Sequence, residues 1–405
     1  MPDQPDTATL LARRARVLGP GYRLFYEEPV HLVRGEGVWL FGADGRRYLD
    51  GYNNVVPAGH CHPRIAAAIA EQSALLCTHT RYLHEGILDY AEALTATFPA
   101  ALSQVTFTCT GSEANDLAIR IARHVTGGSG IIVTQNAYHG VSAAVAGISP
   151  SLGAGVPLGP HVRAVPAPAA GVDFAAGVAA AIADLTRHGI KPALLVVDTI
   201  FSSDGVFAGP AGFLRPAAAA IRAAGGLFLA DEVQAGFGRT GEAMWGFMRH
   251  DVVPDMVSLG KPMGNGYPVA GLVCRPEVMA EFGEKIRYFN TFGGNPVAMA
   301  AAMATLGVIR EERLMENAAS TGAYLREKLN GRHPAIRAVR GAGLFIGAEL
   351  TGGALAGRVV NAMRAKGVLI SASGPRGDVL KIRPPLVFAP EHADMLLRVL
   401  DEALG

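Results

Sequence analysis

Two apolar runs in this chain end in groups that carry chemistry, and they constrain the fold more than any other feature. Leu227-Phe228-Leu229-Ala230 runs into Asp231-Glu232, and Met256-Val257-Ser258-Leu259 runs through Gly260 into Lys261. Short uninterrupted apolar runs of this kind read as strands buried on both faces. In open α/β sheets, ligands bind outside the carboxyl ends of the strands. Two such tips put Asp231 and Lys261 over one crevice.

Other short runs, Val105 to Cys109, Ile131 to Val133 and Leu194 to Val197, alternate with alanine-rich helical stretches such as Phe174 to Arg187 and Ala211 to Ala224. That alternation predicts an α/β fold on a mainly parallel sheet. Before it, the first twenty residues form a weakly patterned arm. Strand-like pieces follow from Gly35 to Leu49, with Asp44-Gly45 as the hairpin turn. After Asn295-Pro296 come two helices (Val297 to about Ile309, Leu314 to Leu329). Strands at Ile336 to Val339, Leu344 to Leu350, Val368 to Ser371 and Val379 to Ile382 then imply a smaller α+β domain. The division read from this pattern is an N-terminal segment (1–50), a large domain (51–300) and a C-terminal small domain (301–405).

With 405 residues, half of them hydrophobic, the chain can bury a large core. A formal net charge of +1 gives no electrostatic footprint for nucleic acid or an anionic membrane. No apolar run reaches the roughly 20 residues that span a bilayer. The polar stretch Met1 to Thr9 lacks the hydrophobic core of a secretion signal. Four cysteines without paired spacing imply free thiols. The expectation is a cytoplasmic enzyme.

A lysine and a carboxylate over one crevice suit pyridoxal 5'-phosphate: the amine forms a Schiff base, and the acid keeps the ring nitrogen protonated. Thr110-Gly111-Ser112-Glu113-Ala114-Asn115 follows a strand and opens an amphipathic helix, whose N-terminus attracts phosphate. Alone it reads first as an ordinary helix start capped by Ser112; Asp231 and Lys261 reverse that towards phosphate. Tyr138, in Asn136-Ala137-Tyr138-His139-Gly140, either lies on a cofactor ring or is a loop tyrosine with its hydroxyl in water. Gly236 to Gly241 matches G-x-G-x-x-G but opens no long helix, so it is read as a flexible loop beside the cofactor and not as a dinucleotide site. His60-Cys61-His62 lacks the usual zinc spacings, and no metal is expected. Arg383, in Lys381-Ile382-Arg383-Pro384-Pro385, either grips an anion or makes a surface ion pair.

Together these residues resemble the class III (ω-amino-acid type) pyridoxal phosphate aminotransferases. The resemblance is carried by Gly111 to Asn115, Tyr138-His139-Gly140, Ala230 to Gln234, Gly236 to Gly241, Ser258 to Lys261 and Thr291 to Pro296. It implies fold type I, with a large domain on a mainly parallel seven-stranded sheet, a smaller α+β domain, and a homodimer with shared active sites. By the same resemblance, Lys261 and Asp231 are catalytic, and Gly111, Ser112, Tyr138, His139, Gln234 and Thr291 bind the cofactor. Thr291 would reach it from the neighbouring subunit, and Gln234 would meet the ring's phenolic oxygen. Arg383 and Asn54 would bind substrate.

The implied reaction is transfer of an amino group from an amine or amino acid to a 2-oxo acid. Asn53-Asn54-Val55 and the stretch Ser371 to Pro385 also resemble the ethanolamine-phosphate phospho-lyase branch, which makes phosphate elimination the alternative. Many family members carry a glutamate that pairs with the substrate arginine; Ser203 stands in its place here.

Overall fold

The computed structural model describes residues 6–405. Its centre is a seven-stranded sheet in the order Gln104–Thr108, Ala270–Cys274, Met256–Leu259, Leu227–Asp231, Pro192–Asp198, Gly130–Thr134 and Val162–Val165. Ala270–Cys274 runs antiparallel to both its neighbours, and the other pairs are parallel. The mainly parallel sheet is therefore as expected, although Ala270–Cys274 and Val162–Val165 were not among the strands read from the sequence.

Both faces of this sheet are covered. Leu195, Val197, Phe228 and Ala230 pack into one hydrophobic cluster, while Leu194, Val196 and Leu229 point the other way into a second. Alternate residues of a strand face opposite sides. Two apolar faces therefore require apolar residues throughout, the pattern seen in the sequence.

Two four-stranded sheets complete the molecule. One joins Leu32–Glu36, Trp39–Gly42 and Arg47–Asp50 to Val368–Leu369, so segments far apart in the chain share a sheet. The Asp44-Gly45 turn forms as expected, with Gly45 at φ 81°. The other sheet, all antiparallel, orders Ile336–Ala342, Phe345–Leu350, Val379–Ile382 and Ser371–Ser373. Ile370 interrupts the single strand expected from Val368 to Ser371, so its two parts join different sheets.

Two local expectations are corrected. The first five residues of the N-terminal arm lie outside the described residues, but Thr7–Leu18 is a helix, its first turn capped by Asp6, whose carboxylate accepts from the Thr9 N–H at 2.7 Å. None of its side chains is buried, which is why no core stripe marked it. The Gly236 to Gly241 loop is packed and not free: Phe237 and Arg239 are buried, and Arg239 donates to the carbonyls of Leu344 and Pro384. A Cβ at Gly241 would lie 2.6 Å from the Ala319 backbone, so these glycines permit close packing onto the C-terminal helices. Finally, no described helix is long and apolar enough to cross a membrane.

Candidate active site

Strand register brings the chemical groups together. Asp198 and Asp231 are Cα partners at the ends of adjacent parallel strands, and Asp231 pairs with Ser258 on the next. Lys261 follows two residues after that third strand, opening the short 3-10 turn Lys261–Gly264. All three groups line a cavity of about 330 Å³, with Gly111, Ser112, Tyr138, His139, Val233 and Gln234.

The helix Gly111–Thr126 points its N-terminus at this cavity. Its cap is Thr110 and not Ser112: the Thr110 hydroxyl accepts from the Glu113 N–H at 3.2 Å, and the Glu113 carboxylate accepts from the Thr110 N–H at 3.2 Å. Threonine with glutamate three residues on closes a capping box, which leaves Ser112 free within the first turn. Ser112 Oγ instead accepts from the Val141 N–H at 3.1 Å. Gly140 sits at φ 141°, and a Cβ there would meet Ser112 Oγ at 2.4 Å. No hydrogen bond of the described residues uses the N–H of Gly111 or Ser112. This cradle therefore offers unpaired donors at a helix N-terminus, the arrangement that binds phosphate.

Asp231 is buried and fixed from three sides. Its Oδ2 accepts from Asn115 Nδ2 at 3.0 Å and lies 2.7 Å from His139 Nδ1, while Oδ1 accepts from the Val233 N–H at 3.1 Å. Asn115 in turn donates to the His139 carbonyl at 2.8 Å. Lys261 makes no hydrogen bond or salt bridge among the described residues, and burial, reinforced by the Arg383 charge, holds its amine below the usual lysine value. Asp231 and Asp198 pull it the other way. Tyr138 is 36% exposed at the cavity wall. Burial raises its phenol pKa, and the charge of Asp231 adds to the effect.

Arg383 is buried, so the surface ion-pair reading is corrected. Its NH1 donates to Gln234 Oε1 at 2.5 Å and Asn54 Oδ1 at 3.2 Å, and its guanidinium lies 4.6 Å from the Tyr52 ring centroid. Gln234 is occupied at both ends: its Nε2 donates to Ser202 Oγ at 2.7 Å, and Ser202 donates to Asp198 Oδ2 at 2.5 Å. The chain of contacts from Arg383 through Gln234 and Ser202 to Asp198 spans elements remote in sequence. Asp198, Asn115 and Tyr52 were not singled out from the sequence for this reason. Thr291 is exposed and does not line the cavity of its own chain. His60 and His62 are spoken for by Asp50 at 2.7 Å and Glu312 at 3.0 Å.

An unpaired amine, a fixed carboxylate and a phosphate cradle that a single Cβ would fill fit pyridoxal phosphate. The comparisons agree. The chain is 45% identical, with a TM-score of 0.94, to a phospholyase from Arthrobacter solved in complex with phosphoethanolamine, over 98% of this chain and 99% of that one. It is 39% identical to the alanine–glyoxylate aminotransferase 2-like protein of Drosophila melanogaster, over 99% of this chain and 88% of the relative. It is 33% identical to the ethanolamine-phosphate phospho-lyase homolog 1 of Caenorhabditis elegans, over 98% and 93%. The aminotransferase class-III model matches residues 25–404. The chain belongs to the class III aminotransferase family of pyridoxal phosphate-dependent, fold type I enzymes.

Proposed function

We propose that this chain is a phospho-lyase, eliminating phosphate from a phosphorylated amino alcohol such as ethanolamine phosphate. The observation that carries this reading is the state of Arg383. A buried guanidinium ordinarily has a carboxylate beside it. Arg383 lies against the Tyr52 ring and donates to the neutral amides of Asn54 and Gln234, but among the described residues no carboxylate pairs with it and its Nε has no partner. Such a cation is best satisfied by an anion that arrives with the substrate. The likeness to the Arthrobacter phospholyase supports a phosphate in that role.

In this reading the N–H groups of Gly111 and Ser112, with Ser112 Oγ, hold the cofactor phosphate, and Tyr138 covers one face of the ring. Pyridoxal phosphate, when bound, supplies the electron sink for a substrate carbon that has lost a proton. Asp231, oriented by His139 and Asn115, keeps a proton on the ring nitrogen. Lys261 anchors the cofactor and then takes the Cα proton; burial favours the neutral amine that this needs. Arg383 receives the substrate phosphate, which departs with the electron pair of the Cβ–O bond. Hydrolysis of the remainder gives ammonia and an aldehyde.

Thr291 would serve the cofactor of a second copy. Exposed Phe292 beside it, together with Tyr82, Leu83 and Val141, forms apolar surface for that partner. This makes a homodimer with shared sites part of the proposal.

Transamination is the second reading, favoured by the aminotransferase names of the Drosophila relative and of a mitochondrial Arabidopsis thaliana relative that is 38% identical. The two separate in one experiment: incubate the holoenzyme with phosphoethanolamine, with and without pyruvate, and measure phosphate and alanine. Phosphate release that needs no pyruvate is the expected outcome. Alanine formation without phosphate release would replace the proposal with transamination.

A further inference from the structure

One buried cation near the cavity has no role in the scheme above. Lys381 lies in the strand Val379–Ile382, flanked by the fully buried Leu380 and Ile382, and is only 7% exposed. It makes no hydrogen bond or salt bridge among the described residues. Its amine lies over the Phe345 ring, 6.0 Å from the centroid. Buried lysines are rare unless paired. This one is left without a counter-ion.

Its neighbours indicate what could supply the missing charge. Lys381 precedes Arg383 by two positions, Arg383 standing just past the strand's end, and the Arg383 charge reaches Lys381. On the adjacent strands its Cα partners are Gly347 and Ser371, which present little bulk on either side. The loop Phe201–Gly205 closes over this face: Ser373 Oγ donates to the Ser202 carbonyl at 3.2 Å, and the Gly374 N–H donates to the Ser203 carbonyl at 3.2 Å. The charged groups felt by Lys381 are the cations Arg383 and Lys261 and the carboxylates Asp198 and Asp204. Both carboxylates are engaged elsewhere. Asp198 accepts from Ser202 and the Ile200 N–H, and Asp204 from Thr134 at 2.6 Å and the Asn136 N–H at 3.1 Å. Lys381 in the strand and Arg383 just past its end are thus two buried cations within electrostatic reach of each other and of Lys261 and Asp198 at the cavity, and neither has an ionic partner among the described residues.

We propose that Lys381 is a substrate-binding residue that, with Arg383, forms a two-cation subsite selecting a dianionic phosphate over a singly charged carboxylate. The inference rests on the phospho-lyase reading and deepens it. A monocarboxylate satisfies Arg383 alone and leaves the second cation bare. A phosphate monoester brings two negative charges and three terminal oxygens, enough for both. Burial, with Arg383 adding to it, lowers the Lys381 amine to about 7, so an incoming dianion also draws a proton onto it.

The test uses the holoenzyme, whose cofactor already fills the Gly111–Ser112 cradle. Inorganic phosphate and acetate are the probes, titrated by calorimetry in two buffers of different ionisation enthalpy. Loss of one charge-assisted contact corresponds to roughly 10- to 100-fold in affinity. Lys381→Met should therefore weaken phosphate by that factor and acetate by less than about threefold, with proton uptake abolished; Lys381→Arg should restore phosphate affinity without restoring the uptake. Equal loss of both probes, or no loss of phosphate, overturns the subsite. Phosphate release from phosphoethanolamine by the unmodified enzyme is measured alongside. If that release is absent while Lys381→Met selectively loses phosphate, the lyase reading fails and the subsite stands. If release occurs and Lys381→Met leaves its KM unchanged, the subsite fails and the lyase stands.

Discussion

At the scale of single residues, the site depends on which charges are balanced and which are not. Asp231 is held by Asn115, His139 and the Val233 N–H, so Asp231→Asn keeps the shape while removing the charge that retains a proton on the ring nitrogen. The cofactor should still bind, and kcat should fall by a factor of about 100 or more, the scale of a lost proton-transfer contribution. Unchanged kcat would remove Asp231 from the chemistry. Lys261→Ala should abolish turnover with the far-ultraviolet circular dichroism intact, because the side chain projects into the cavity and not into the core. Lys381 makes the opposite kind of prediction. Its folded-state value of about 7 lies below that of a free lysine. Between that value and the ordinary one, the unfolded chain holds a proton that the folded chain lacks, so stability rises with pH across the window. Below about 7 the cost of charging is fully present. Denaturant titrations of the apo form should therefore find Lys381→Met more stable than the parent at pH 7, with the gap closing towards pH 10. A gap that widens with pH would mean the amine is not desolvated.

Among the elements, those that were readable in the sequence are those whose residues see only local rules. The strands ending in Asp231 and near Lys261 announced themselves because a strand covered on both faces must be apolar at every position. The helix Gly111–Thr126 is announced by its stripe, but its cap is not, because serine and threonine both cap well; only the Glu113 reach to the Thr110 N–H distinguishes them. Thr110→Ala should cost about 1 kcal/mol of stability by loss of that cap, read as a shift in the denaturation midpoint. It should also loosen the cofactor. A stability loss without a change in cofactor affinity would separate the cap from the phosphate cradle. Gly140 tests the cradle from the other side. Its φ of 141° and the 2.4 Å approach of a new Cβ to Ser112 Oγ mean that Gly140→Ala must move Ser112 or the backbone. Cofactor affinity should drop at least about tenfold, a modest 1.4 kcal/mol against the strain expected. Retained affinity would show that Ser112 is not part of the phosphate site.

At the scale of the whole molecule, what stayed hidden is what depends on distance in sequence. Nothing local announces that Ala270–Cys274 inserts antiparallel between Gln104–Thr108 and Met256–Leu259, or that Val368–Leu369 pairs with Arg47–Asp50. The link from Arg383 through Gln234 and Ser202 to Asp198 is equally non-local, and so is the isolation of Lys381. Thr291 raises the same question between chains. It is exposed on its own chain and flanked by Phe292, 67% exposed, while Leu83 is 101% exposed. On the proposed reading this apolar surface meets the second copy. If the contact is a twofold dimer, each site combines Lys261 of one chain with Thr291 of the other, and mixing tests it. Lys261→Ala and Thr291→Trp chains, each inactive alone, should regain up to about a quarter of the parental activity after co-refolding, since half the dimers are mixed and one of their two sites has both residues intact. Arg383 provides the control, because it binds Gln234 and Asn54 of its own chain and so belongs to the same site as its own Lys261. Mixing Lys261→Ala with Arg383→Ala should recover nothing. Recovery in that control, or none with Thr291→Trp while sedimentation shows mixed dimers, would break the assignment of Thr291 to the neighbouring site.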